Sequence, residues 1–191
     1  MSNYKFKIGF IVDNYECSIY DKELIDSVIK NENVDIFLLN QSFEETKNNK
    51  LKKIIKKILK EGLIRFLQLV LWELINKVEN KILQKTIYKD HLKRFNLRRV
   101  IKKHIQLRPI ILKNNEYRYS NDEILNISSK NIDLIVRCGS GILRGKILNC
   151  TKLGIISPHH GDNMNYRGGP AGFWEVYHKS PRTGFIYQML T

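Results

Sequence analysis

Four short apolar runs rich in β-branched residues, 5–12, 34–39, 132–137 and 154–157, punctuate this chain, with helical patterns between them. Runs of this length and composition read as buried strands. Between the first two, Leu24, Ile25, Val28 and Ile29 recur on one face of a helical pattern over residues 21–30. Before the third, Ser120 and Glu123 have the spacing of a capping box and open a helix through Ile124, Leu125 and Ile127. A short helix is expected over residues 142–148, between the third run and the fourth. Strand, helix, strand therefore occurs twice, which implies an α/β fold: a Rossmann-like, mostly parallel sheet flanked by helices. The 191 residues, 42% hydrophobic and 27% charged, suffice for one such domain and argue against disorder.

The charge is segregated. Residues 47–115 carry 20 Lys/Arg against 4 Asp/Glu, while the rest of the chain is close to neutral, with 13 and 15. Within the basic segment Leu51, Ile54, Ile55, Ile58 and Leu59 follow the spacing of an amphipathic helix. Ten of the thirteen residues 63–75 are apolar, but Arg65, Gln68 and Glu73 interrupt a run that is also too short to span a bilayer. Residues 45–108, ending before Pro109, read as a basic helical insert. It caps the sheet with its lysines in water, or it meets an anionic surface or tRNA through residues 47–115. Cys17, Cys138 and Cys150 lack CxxC spacing and the N-terminus lacks a signal-peptide pattern, so reduced thiols and a cytoplasmic location are expected.

After the strand ending at Ser157 comes PHHGDNMNYRGGP, residues 158–170, dense in glycine and polar side chains. In open α/β sheets, ligands gather at the carboxyl ends of the strands, so this stretch is the candidate site. Ser157-Pro-His159, Tyr166-Arg-Gly168, Phe173-Trp174 and Thr183-Gly184, with the preceding strand and turn 132–143, resemble the 10-formyltetrahydrofolate-dependent formyltransferase family. Its pattern is a strand, Asn-x-His, a Tyr-Arg-Gly-like turn, a Trp-containing helix and a Thr-Gly strand. The resemblance covers residues 132–191, is generic over the first two strands, and does not reach the basic insert.

The resemblance implies transfer of a formyl group from 10-formyltetrahydrofolate to a primary amine, an amino sugar linked to a nucleotide being favoured over methionyl-tRNA. His159 would be catalytic, supporting the oxygen of the tetrahedral intermediate, with Ser157 beside it. Ser140, Gly141, Ile142 and Leu143 would line the pterin pocket. His160, Asp162, Asn163, Tyr166, Arg167 and Gly168 would contact the acceptor. Metal binding by His159, His160 and Asp162 is not adopted, because neighbours in sequence seldom converge on one ion.

Two departures from the family pattern stand out. Ser157 occupies the Asn position, and the family's catalytic Asp would fall a few residues beyond Thr191. The expectation is a C-terminally incomplete formyltransferase domain, inactive as these 191 residues alone. The alternatives are a non-catalytic folate- or anion-binding module, and a membrane- or nucleic-acid-associated protein acting through its insert.

Overall fold

A computed structural model describes residues 4–43, 62–86, 89–90, 93–166 and 172–191. The chain divides into two compact units, Met1–Phe43 with Asn96–Thr191, and Glu44–Phe95.

The larger unit is a mixed α/β structure built on β1 (Phe6–Asp13). This strand pairs in parallel with β3 (Val34–Gln41) on one edge and β8 (Leu134–Arg137) on the other. Beyond β3 lies parallel β5 (Lys103–Leu107), and beyond β8 lies parallel β10 (Ile155–His160). Antiparallel β11 (Phe185–Leu190) follows β10, giving the order β5-β3-β1-β8-β10-β11. Two short strands accompany these: β2 (Glu16–Cys17), antiparallel to β1, and β4 (Phe95–Asn96). A small second sheet joins β6 (Ile110–Ile111), β7 (Glu116–Arg118) and β9 (Ile142–Leu143).

Phe10, Ile11 and Val12 are consecutive and fully buried, as a strand covered on both faces requires. On one face, Ile11, Leu39, Ile135 and Ile155 form a cluster with Ile127 of the helix Asn121–Ser129. Helix α1 (Ile19–Ile29) packs near β3 and buries Ile25. Both helices begin with reciprocal capping boxes: Ser18 with Asp21, and Ser120 with Glu123. Glu123 also accepts a hydrogen bond from the Arg108 amide at 2.6 Å, fixing the helix start against the end of β5.

Three sequence expectations change. The reading of 45–108 as helical fails at its C-terminal end, where β5 belongs to the main sheet. Ile105 and Leu107 are buried and alternate with exposed His104 and Gln106, a period of two hidden among basic residues. Residues 44–61, with the stripe from Leu51 to Leu59, lie outside the described residues. The main element in the described part of that unit is a 21-residue helix, α2 (Leu63–Leu83). The short helix expected over 142–148 is instead β9 followed by a 3-10 turn, Gly145–Asn149, because Leu143 pairs with Tyr117. Finally, the strand expected to stop at Ser157 continues to His160, held by antiparallel pairing of His159 with Ile186 and His160 with Phe185.

Asp133, at the start of β8, ties this sheet to the N-terminus. Its carboxylate accepts from the Tyr4 hydroxyl at 2.5 Å and the Lys7 amide at 2.9 Å. The Tyr4 hydrogen bond, then the Lys7 amide, hold its carboxyl below the usual range. A depressed native pKa stabilises the fold above the unfolded carboxylate value, about 3.9, and this contribution is lost as pH falls through the native value. Urea midpoints of wild type and Asp133→Asn should therefore differ at pH 7 and converge below about pH 4; a gap that persists in acid contradicts this linkage.

Candidate functional site

Side chains two residues apart on a strand share a face, and those one apart do not. On β10 this puts Ser157 and His159 together and sends His160 through to the opposite side. Ser157 and His159 line a cleft of about 540 Å³ at the carboxyl end of the parallel strands, together with Gly141, Ile142 and Leu143. The structure thus brings both candidate catalytic residues and three of the four candidate pocket residues to one cavity. Asn115, Arg137, Arg144, Pro158, Gln188, Leu190 and Thr191 complete its wall among the described residues.

Ser140, the fourth, is exposed and lies outside this wall, where it serves as an anchor. Its amide donates to Asp13 Oδ2 at 2.8 Å, and its hydroxyl lies 3.3 Å from that of Tyr117. Asp13 in turn accepts from Gln41 Nε2 at 2.8 Å, and Gln41 accepts from the Tyr119 hydroxyl. One carboxylate thus joins the ends of β1 and β3 to the turn that follows β8. Gly139 lets this turn close, because a Cβ there would lie 2.6 Å from Gln41 Nε2 and 2.8 Å from Asp13 Oδ1.

Arg137 is the residue that pattern reading passed over. It sits at the end of β8 in register with Ile11. Its Nη1 donates to Ser157 Oγ at 3.2 Å, and its Nη2 donates to the Gly141 carbonyl. Its Nε is buried and has no hydrogen-bond partner among the described residues. Desolvation lowers the guanidinium pKa, yet arginine remains charged. The legible signal was a lone arginine ending an otherwise apolar strand.

The described acceptor-side candidates, His160, Asp162, Asn163 and Tyr166, do not line one cleft. His160 enters a second cleft, about 240 Å³, with Tyr20, Asp21, Cys138, Phe185 and Tyr187. Asp162 is committed to its own turn, accepting from the Met164 amide at 2.9 Å and Asn165 Nδ2 at 2.7 Å, which lowers its pKa. Asn163 lies in the same turn. Tyr166 stacks on His178 with ring centroids 5.7 Å apart. Arg167 and Gly168 lie outside the described residues. Phe173 and Trp174 open a five-residue helix, Phe173–Tyr177, and remain partly exposed.

Neither described cleft presents a reactive thiolate. Burial raises the Cys138 thiol pKa well above its ordinary value and pushes that of Cys150 up to about 11. Among the described residues no group of three or more His, Cys, Asp or Glu could hold a metal ion.

Gly141 has φ +80°, and a Cβ there would lie 2.4 Å from the Tyr117 ring, whereas Gly145, at φ +81°, has nothing within 4 Å. Gly145→Ala should therefore show the backbone cost alone, about 1–2 kcal/mol. Gly141→Ala should lose about 1–3 kcal/mol more through displacement of Tyr117. Equal losses in chemical denaturation would show that the ring contact does not constrain the turn.

No family model matches the chain, and no curated protein matches it.

Proposed function

We propose that this chain is the formyl-donor-binding part of a cytoplasmic N-formyltransferase, acting on a primary amine such as a nucleotide-linked amino sugar. The observation that carries the reading is the convergence of Ser157, His159 and residues 141–143 on one cleft. Those positions were singled out by their resemblance to the formyltransferase pattern, and they come from two separate stretches of sequence. The strand order, β3 and β5 on one side of β1 and β8 and β10 on the other, supports a Rossmann-like reading of the sheet, and the cleft lies by the carboxyl ends of β8 and β10.

The cleft suits the donor class. Its volume lies within the ordinary range for small-molecule sites, Ile142, Leu143 and Leu190 offer apolar surface, and Arg144 adds a cation at the rim. When bound, 10-formyltetrahydrofolate supplies a formyl carbon: its bond to the acceptor nitrogen forms, its bond to N10 breaks, and the proton leaving the amine is balanced at N10. His159 would donate a hydrogen bond to the oxygen that gains charge. Ser157 replaces an amide by one short hydroxyl, and the Arg137 guanidinium beside it would restore donor capacity. A charged, half-buried donor is well suited to that oxygen.

One observation favours a second reading, a non-catalytic folate- or anion-binding module: no Asp or Glu among the described residues lines the cleft. The two readings separate in one assay. The full-length polypeptide containing this chain, offered 10-formyltetrahydrofolate with nucleotide-linked amino sugars or methionyl-tRNA, should release tetrahydrofolate with one acceptor. His159→Ala should lower turnover about 10²- to 10⁴-fold, with folate affinity nearly unchanged. Arg137→Met should lower turnover about 10²-fold or more. Folate binding without transfer to any acceptor would select the binding module; near-normal turnover of His159→Ala would sink the catalytic assignment.

A further inference from the structure

Helix α2 buries none of its 21 residues. At 3.6 residues per turn, Leu63, Ile64, Leu67, Val70, Leu71, Leu74, Ile75, Val78 and Ile82 fall on one arc, about 140° wide. All nine are exposed, from 38% at Val70 to 77% at Ile64. Arg65, Glu73, Asn76 and Glu79 lie off the arc, and Lys81 sits on it near its C-terminal end. Trp72, 49% exposed, lies about 60° beyond the arc's edge. An aliphatic stripe this long demands a partner.

We infer that α2 lies flat on an anionic lipid surface, its aliphatic arc among the acyl chains, and that the basic excess of its unit's sequence draws it there. Charge selects this occupant. The unit Glu44–Phe95 carries 14 Lys/Arg against 6 Asp/Glu, seven of the lysines falling within residues 47–60. A second copy docked on the arc would bring two strongly basic units together. A nucleic acid would satisfy the lysines but leave the aliphatic arc in water. A bilayer with anionic lipid satisfies both: α2 itself carries Arg65, Lys77 and Lys81 against Glu73 and Glu79, and the basic residues on either side of it in sequence supply the excess that an anionic surface attracts. No helix among the described residues is long and apolar enough to cross a membrane, so the association is peripheral. This inference is independent of formyl transfer.

The test is flotation of the full chain with vesicles of phosphatidylcholine alone and with 30% phosphatidylglycerol. Binding should appear only with the anionic lipid and weaken at least tenfold between 50 and 500 mM salt. Leu67→Asp combined with Leu74→Asp should reduce it at least tenfold, with the circular dichroism of the free protein unchanged because neither side chain is buried. In a Trp72→Phe, Trp174→Phe background, the emission of Leu71→Trp, a position on the arc, should shift to the blue on adding anionic vesicles. No flotation with anionic vesicles overturns the inference, as does binding that survives the double substitution in a folded protein. A dimer dissolved by that substitution, or tRNA binding without vesicle binding, overturns it in favour of the other occupant.

Discussion

Strand β1 has a parallel neighbour on each edge and apolar cover on each face. Its backbone groups are satisfied laterally, so its side chains are free to be apolar on both sides, and the segment cannot be moved without exposing both. Gly9 shows how close the fit is: a Cβ there would lie 2.9 Å from Leu39 Cδ1 and 3.0 Å from Ile135 Cγ1. Because β3 and β8 hydrogen-bond to this strand, their carboxyl ends arrive side by side, and Asp13 meets Gln41 and the Ser140 amide there. That meeting anchors the turn whose next residues, Gly141, Ile142 and Leu143, line the cleft.

The chemistry depends on a second constraint, the alternation of side chains along β10. Antiparallel pairing with β11 keeps residues 157–160 extended, so His159 and His160 face different cavities despite adjacency in sequence. Parallel pairing of Ile155 with Ile135 sets the offset of β10 against β8 and brings Arg137 to Ser157. A half-buried guanidinium whose hydrogen bonds go to a carbonyl and a hydroxyl keeps most of its attraction for an anionic oxygen. That makes Arg137 the chief electrostatic feature of the cleft, beside a histidine able to donate and a serine already ordered by its neighbour.

Much of the fold was legible in the chain because its signals are local. The runs at 5–12, 34–39, 132–137 and 154–157 correspond to β1, β3, β8 and the first half of β10. Ser120 and Glu123 form the expected capping box because it needs only three residues of separation. Strand β5 was missed because Lys102, Lys103 and Arg108 surround two buried aliphatic residues, and only pairing with β3 gives that alternation meaning. The end of β10 was missed for a related reason: a run rich in His, Gly and Asp reads as a loop until an antiparallel partner holds it straight.

The site divides along the same line. His159, Ser157 and the 140–143 turn were nominated by the resemblance of residues 132–191 to the formyltransferase pattern, a signal that is local in sequence. Tertiary structure decided which of them share a cavity: it kept Gly141, Ile142 and Leu143, turned Ser140 into an anchor, placed His160 across the sheet and brought Arg137 in. The physical reason is that register and facing are set by hydrogen bonds between strands far apart in sequence. Periodicity within one strand records which residues can share a face, but not which cavity that face will line.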